Sequence, residues 1–241
     1  MISALMARTL PLLRSSDGTP DLTVLRGAGE RALGADCLAV SVLGSAGERE
    51  LCWCSDDLAR TFDDLEFTLG EGPGHDVVTS GMSVLVPDLA RIHADRWPGL
   101  TVELGPLPVR ALFCFPLAVG AIQVGALTTL RRTRGPLTGA QADDAFVLAS
   151  ALTSLFLDCP DCPDDGTRTP TGPALLRAVV HQATGMVSVQ LEVPLPVALV
   201  RLRAYAFASG RPIADVSRDI LDRVVRLGDN GRELPAGGEK E

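Results

Sequence analysis

The stretch from Asp161 to Pro173, DCPDDGTRTPTGP, is rich in Pro, Gly, Asp and Thr and carries no apolar periodicity. Such a segment has no face to bury, so it reads as a linker that splits the 241-residue chain into parts that fold separately. Charge divides at the same place. Residues 1–172 hold 13 basic and 22 acidic side chains, residues 173–228 hold 7 and 4, and residues from 229 onward hold 2 and 4, within a total of −8. Asymmetry of this kind suggests separate parts with separate partners. The organisation expected is an N-terminal segment (1–19), a first domain (20–158), the linker (159–172), a second domain (173–228) and a disordered tail (229–241).

At 46% hydrophobic content the chain can bury a sizeable core. No window approaches the 18 or so uninterrupted apolar residues of a membrane span, and the opening MISALMARTLPLLRSSDG is broken by Arg8 and Arg14. The expectation is a cytoplasmic protein without membrane contact, whose six cysteines are reduced. Basic residues are arginine in 21 of 22 cases, a bias that weakens any argument from arginine alone.

The first domain alternates strand and helix patterns. Asp21–Leu33 places Leu22, Leu25, Gly29 and Leu33 on one helical face. The runs CLAVSVLG and ERELCWCS, separated by SAG, read as a hairpin. In LGEGPGHDVVTSGMSVLVPDL, the glycines around Pro73 demand backbone freedom. A short helix then runs to Ser80, and Gly81 stops it before a strand. RALFCFPLAV and QVGALTTLRR read as neighbouring central strands, and Thr138 with Gln141 has the spacing of a capping box that opens a closing helix. This order of elements, with the glycine-rich turn, the strand pair and the closing helix, resembles a GAF domain over roughly residues 20–158. The resemblance implies an antiparallel sheet with flanking helices that senses a small molecule, carries a chromophore or dimerises.

Residues 173–227 carry three helical stripes. They run through Leu176, Val179, Ala183, Met186 and Gln190; through Leu195, Ala198, Leu199, Leu202 and Ala206; and through Ile213, Val216, Ile220, Val224 and Leu227. One apolar stripe per helix predicts a small three-helix bundle, giving an α+β chain overall. With Leu202 at the seam, Arg201 and Arg203 project about 100° to either side. The segments HQATGMVSVQL, ALVRLRAYA and RPIADVSRDIL, in this order and spacing, resemble an ANTAR domain, the RNA-binding module of bacterial transcription antiterminators. Prolines in VPLPVA stand where that family offers a polar cap, and predict a late start for the second helix.

The resemblance implies a homodimer that holds paired stem-loops in nascent transcripts and keeps a terminator from forming. Its RNA-facing surface would comprise Arg201, Arg203, Tyr205, Ser209, Gly210, Arg211 and Arg218. Rings and guanidinium planes there would stack splayed bases while cations neutralise phosphates. Asp219 with Arg223 and Asp222 with Arg226 have i,i+4 spacing and read as surface pairs.

Competing chemistry centres on cysteine. Cys52, Cys54, Cys159 and Cys162 could bind Zn²⁺ if they converged, although C-x-C is a poor spacing for it. Cys37 and Cys114 sit in apolar runs and read as core thiols. His75, beside the glycine turn, reads as a lone polar loop residue, with contact to a ligand as the alternative; His93 and His181 lack partners at catalytic spacing, and no nucleophile elbow or phosphate-cradling motif is present. The expectation is therefore a regulator without enzymatic activity or cofactor. Its alternatives are a DNA-binding regulator and a cysteine-dependent GAF enzyme.

Overall fold

The structure is a computed structural model that describes residues 2–15, 20–44, 47, 49–93, 95–158, 173–228 and 233–234. The chain forms two compact units, Met1–Asp164 and Asp165–Glu241.

The first unit is built on strands β1 (Cys37–Leu43), β2 (Arg49–Cys54), β3 (Val84–Val86), β4 (Ala111–Val119) and β5 (Ile122–Arg131). They pair antiparallel throughout, in the order β2-β1-β5-β4-β3. The central strands read as nearly continuous apolar runs because both faces are covered. From β4, Phe113, Phe115 and Leu117 enter one core and Leu112 and Cys114 the other. At Gly125 a Cβ would lie 2.0 Å from the Ser41 carbonyl oxygen, so only glycine lets β1 and β5 approach this closely.

Helices α1 (Ala4–Thr9), α2 (Ala28–Leu33) and α6 (Gly139–Asp158) contribute to the first core, and α3 (Asp57–Leu69), α4 (Pro73–Ser80) and α5 (Pro98–Leu104) to the second. The capping box of α6 is formed: Thr138 N–H donates to Gln141 Oε1 at 2.9 Å and Gln141 N–H to Thr138 Oγ1 at 3.2 Å. The N-terminal segment belongs to this unit. Met6 and Leu13 are buried in the α6 core, and Ser3 N–H donates to Asp144 Oδ1 at 2.8 Å. The expected helix over Asp21–Leu33 is broken, because Gly27 at φ 76° separates a 3₁₀ turn, Thr23–Leu25, from α2.

The second unit contains α7 (Pro173–Leu191), α8 (Leu195–Ser209) and α9 (Ile213–Leu221). The buried face of α7 is Val180, Ala183, Thr184 and Val187, rotated by about one residue from the expected stripe. Helix α8 does not start late: Pro194 and Pro196 occupy its first turn, where no N–H is needed. Helix α9 ends six residues short of the expected Leu227, at Leu221. Arg223 adopts φ 60°, so Val224 turns outward while Val225 and Leu227 re-enter the core. Arg226–Leu227 (β6) then pairs with Glu233–Leu234 (β7), so regular structure reaches into the segment expected to be a disordered tail. Among the described residues, no single helix is long and apolar enough to cross a membrane.

Candidate functional site

Helix α8 is the element on which the RNA-facing residues were expected. Its inward face is Ala198, Leu202 and Ala206, all buried. At 100° per residue, Val197, Val200, Ala204 and Phe207 fall in an arc of about 80° opposite Leu202. All four are exposed, Phe207 at 86% and Val200 at 60%. Arg201 and Arg203 flank this arc, one on each side. The outward face of α8 is thus an apolar strip between two guanidiniums, which the sequence reading missed by counting cations. A helix apolar all round is ordinarily buried, and that was the available signal.

The expected residues divide by environment. Arg201 is exposed and engages no acid among the described residues. Arg203 is half-buried, and loss of hydration pulls its guanidinium down to about 10. Tyr205, one turn beyond Arg201, is half-buried. Arg211 is held by Asp219 at 2.5 Å, and Arg218 by Asp215 at 2.5 Å. Those pairings replace the expected pairs of Asp219 with Arg223 and Asp222 with Arg226, which the early end of α9 takes out of helical register. Ser209 Oγ donates to the Ala206 carbonyl at 3.1 Å, and Gly210 at φ 63° caps α8 by donating to Ala206 and Phe207. Both shape the turn that carries Arg211.

The first unit buries a second polar constellation, between the sheet and α3–α4. Arg49 of β2 donates to Asp63, to Glu66 Oε2 at 2.8 Å and to Ser41 Oγ at 3.1 Å. Glu66 Oε1 accepts from Gly74 N–H at 2.7 Å, anchoring the start of α4. This anchor explains the glycine-rich turn. A Cβ on Gly72 would lie 2.4 Å from Glu66 Oε1, and one on Gly74 2.9 Å from Arg49 Cζ. Burial pushes the Glu66 carboxyl up to about 7, outweighing the attraction of Arg49 that lowers it. The sequence reading left α3, and with it both carboxylates, unassigned.

The cysteines do not assemble. Cys52 is the extra residue of a bulge, lying between the pairs Trp53↔Val40 and Leu51↔Ser41. The bulge sends Cys52 toward the α6 core and Cys54 toward the opposite one. Cys159 and Cys162 lie outside the described residues, and among those described no group of three or more His, Cys, Asp or Glu side chains is placed to hold a metal. Burial raises the thiols of Cys37 and Cys114 to about 12, so both stay protonated as core residues.

No protein-family model matches the sequence, and no curated protein matches it. Solved structures do. The GAF domain of a phosphoenolpyruvate-protein phosphotransferase from Acinetobacter aligns at a TM-score of 0.50 and 13% identity, covering 67% of this chain and 95% of that one. The corresponding GAF domain from Coxiella burnetii aligns at 0.49 and 16% identity, covering 66% and 97%. A phycocyanobilin-bound GAF domain from a cyanobacterial phytochrome aligns at 0.44 and 14% identity, covering 66% and 97%. The share of this chain matched has the size of the first unit, and the second unit draws no support from it. The first unit has the GAF fold.

Proposed function

We propose that this protein is a regulator in which the GAF unit, as sensor and dimerisation domain, controls an α-helical RNA-binding module. That module, of the ANTAR type, holds paired stem-loops in nascent transcripts and keeps a terminator hairpin from forming. The observation that carries the reading is the outward face of α8. Unpaired bases in an RNA loop offer flat apolar surfaces and leave their phosphates at the margins. A strip of Val197, Val200, Ala204 and Phe207 with a guanidinium on either side complements that arrangement. On a DNA duplex the bases are stacked away and the partner is a uniformly anionic backbone. The acids Asp215 and Asp219 on α9 oppose such a partner.

The protein acts in the cytoplasm by binding rather than by catalysis. A cysteine-dependent activity needs a thiolate, and burial raises the thiols of Cys37, Cys54 and Cys114 away from one. One bundle, with a surplus of three positive charges, binds weakly; two bundles joined through a GAF dimer bind far more tightly, because the second contact becomes intramolecular.

Filter binding of the full chain to a two-hairpin RNA, against a DNA duplex of equal length, tests this. Phe207→Ala is expected to weaken RNA binding by roughly 5- to 150-fold, the range of one base stacked on an aromatic ring. Equal affinity for RNA and duplex DNA, or no RNA binding at low ionic strength, would overturn it.

A further inference from the structure

Strand β3 is one edge of the sheet, and past it residues 87–93 and 95–96 meet residues 134–136, which follow β5. Gly135 N–H donates to the Pro87 carbonyl at 2.9 Å and ties the two segments together. Between them lies a cavity of about 640 Å³, within the size range of small-molecule sites. Leu85, Ile92 and Pro136 supply apolar lining, and Arg91, Arg96 and Arg134 bring three guanidiniums to it. This grouping of cations stands in the acidic part of the chain, where 22 acids face 13 bases over residues 1–172.

Two of the three arginines are positioned from behind. Arg134 is held by its Nε, 3.2 Å from Asp88 Oδ1, and Asp88 is itself fixed by accepting from Ala90 N–H at 3.1 Å. That grip leaves the terminal amino groups of Arg134 without a partner among the described residues. Arg96 lies 4.4 Å from the Trp97 ring centroid and donates to Asp76 Oδ2 at 3.1 Å, while Trp97 Nε1 donates to the same oxygen at 3.2 Å. Arg91 is exposed, and its guanidinium engages no acid among the described residues. Asp88 is the only acid among the lining residues, and Asp76 stands behind Arg96. Asp95, the residue before Arg96, pairs with the lining His93 at 3.3 Å, so the pocket offers not a surplus of charge but two guanidiniums, Arg91 and Arg134, whose terminal amino groups engage no acid among the described residues, beside an apolar wall.

We propose that this pocket binds a small organic oxyanion: a carboxylate or phosphate group on an apolar body, with the oxyanion bridged by Arg91 and Arg134 and the body laid on Leu85, Ile92 and Pro136. Guanidinium forks match either group in two-pronged hydrogen bonding, and holding Arg134 in advance through Asp88 lowers the cost of ordering it. The inference names the ligand class for the sensing role proposed above and rests on that reading, but its binding event is separate from the RNA-binding one.

The test is calorimetric titration of the full chain with benzoate, phenyl phosphate, inorganic phosphate and neutral benzamide. Saturable binding of benzoate or phenyl phosphate is expected, and which of the two binds tighter identifies the oxyanion. Benzamide and inorganic phosphate, each lacking one half of the recognition, should bind at least about tenfold more weakly. R91S/R134S should lose about tenfold or more in affinity for the organic anions while keeping the wild-type unfolding curve, since both side chains are exposed. Benzamide binding as tightly as benzoate, undiminished binding by the double variant, or no binding of either organic anion would each overturn the proposal. Anion binding without RNA binding would sink only the RNA reading, and RNA binding without anion binding only this one.

Discussion

Replacing Arg49 with methionine tests whether the buried ionic cluster holds the GAF unit together. The Arg49 side chain is 11% exposed, and those of Asp63 and Glu66 are 2% and 1% exposed. Methionine keeps much of the apolar stem, so the cavity left behind is small and the main loss is the charge with its three hydrogen bonds. Removing one partner of a buried ion pair costs about 3–5 kcal/mol, because the remaining charge stays out of water. Glu66 can escape part of that cost by taking up a proton, since its carboxyl already sits near 7. The loss at neutral pH should therefore lie toward the lower end, about 3 kcal/mol, and should grow from pH 5.5 to pH 8 as neutral Glu66 becomes an unpaired anion. Urea unfolding followed by tryptophan fluorescence reads this selectively, because the chain's two tryptophans, Trp53 and Trp97, both lie in the first unit. R49M/E66Q should recover part of the loss at pH 8. A loss below about 1 kcal/mol at pH 8, or one that shrinks as pH rises, would show that Arg49 is not what makes the two carboxylates tolerable.

Glu66 itself should make the unit's stability fall with pH. Its folded value of about 7 lies above the ordinary 4.5, so its contribution is complete below about pH 4.5 and is lost as pH rises to 7, with a slope of at most about 1.4 kcal/mol per unit; E66Q should flatten that part of a urea-stability profile. Gly72→Ala combines φ 135° with a Cβ 2.4 Å from Glu66 Oε1 and should cost about 3 kcal/mol or more in the same assay. Gly185→Ala, inside α7 with nothing within 4 Å of the added Cβ, should raise stability by about 0.5–1 kcal/mol, read by helix ellipticity during unfolding.

The strands, α4 and α6 were legible because short continuous apolar runs bounded by turn residues, glycine stops and the Thr138–Gln141 box are local signals. Helix α3 was not. Its buried face carries Asp63 and Glu66 beside Ala59 and Phe62, so the apolar stripe that marks a helix is interrupted by charges whose partner, Arg49, is distant in sequence. The N-terminal helix was missed for a related reason: six residues are too few to show periodicity, and only contact with α6 reveals that Met6 belongs to the core. The stop of α9 turns on Arg223 adopting a left-handed backbone, which no Gly or Asn announces. Of the expected interface, Arg201 is exposed and engages no acid among the described residues. Arg211 and Arg218 were committed to acids eight residues away and three residues away, pairings that depend on where α9 begins and ends.

That division of the arginines changes how the proposed RNA complex should respond to salt. Counted from sequence, Arg201, Arg203, Arg211 and Arg218 would neutralise four single-strand phosphates, for a log-affinity slope of about −2.8 per bundle, at about −0.7 each. In the structure Arg211 and Arg218 already face carboxylates, and using them on RNA releases an acid rather than a bound counterion, so neither of the two contributes in full. The slope should therefore fall well short of −2.8 per bundle, toward about −1.4, with Arg201→Ala reducing its magnitude by about 0.7. Phe207→Ala should leave the slope unchanged while shifting the whole line down, because stacking releases no ions. Titrations at several salt concentrations separate the two outcomes. A slope near −2.8 would mean that Arg211 and Arg218 leave their acids to meet the RNA, and would move the centre of the interface from the apolar strip of α8 to the turn at Ser209–Arg211.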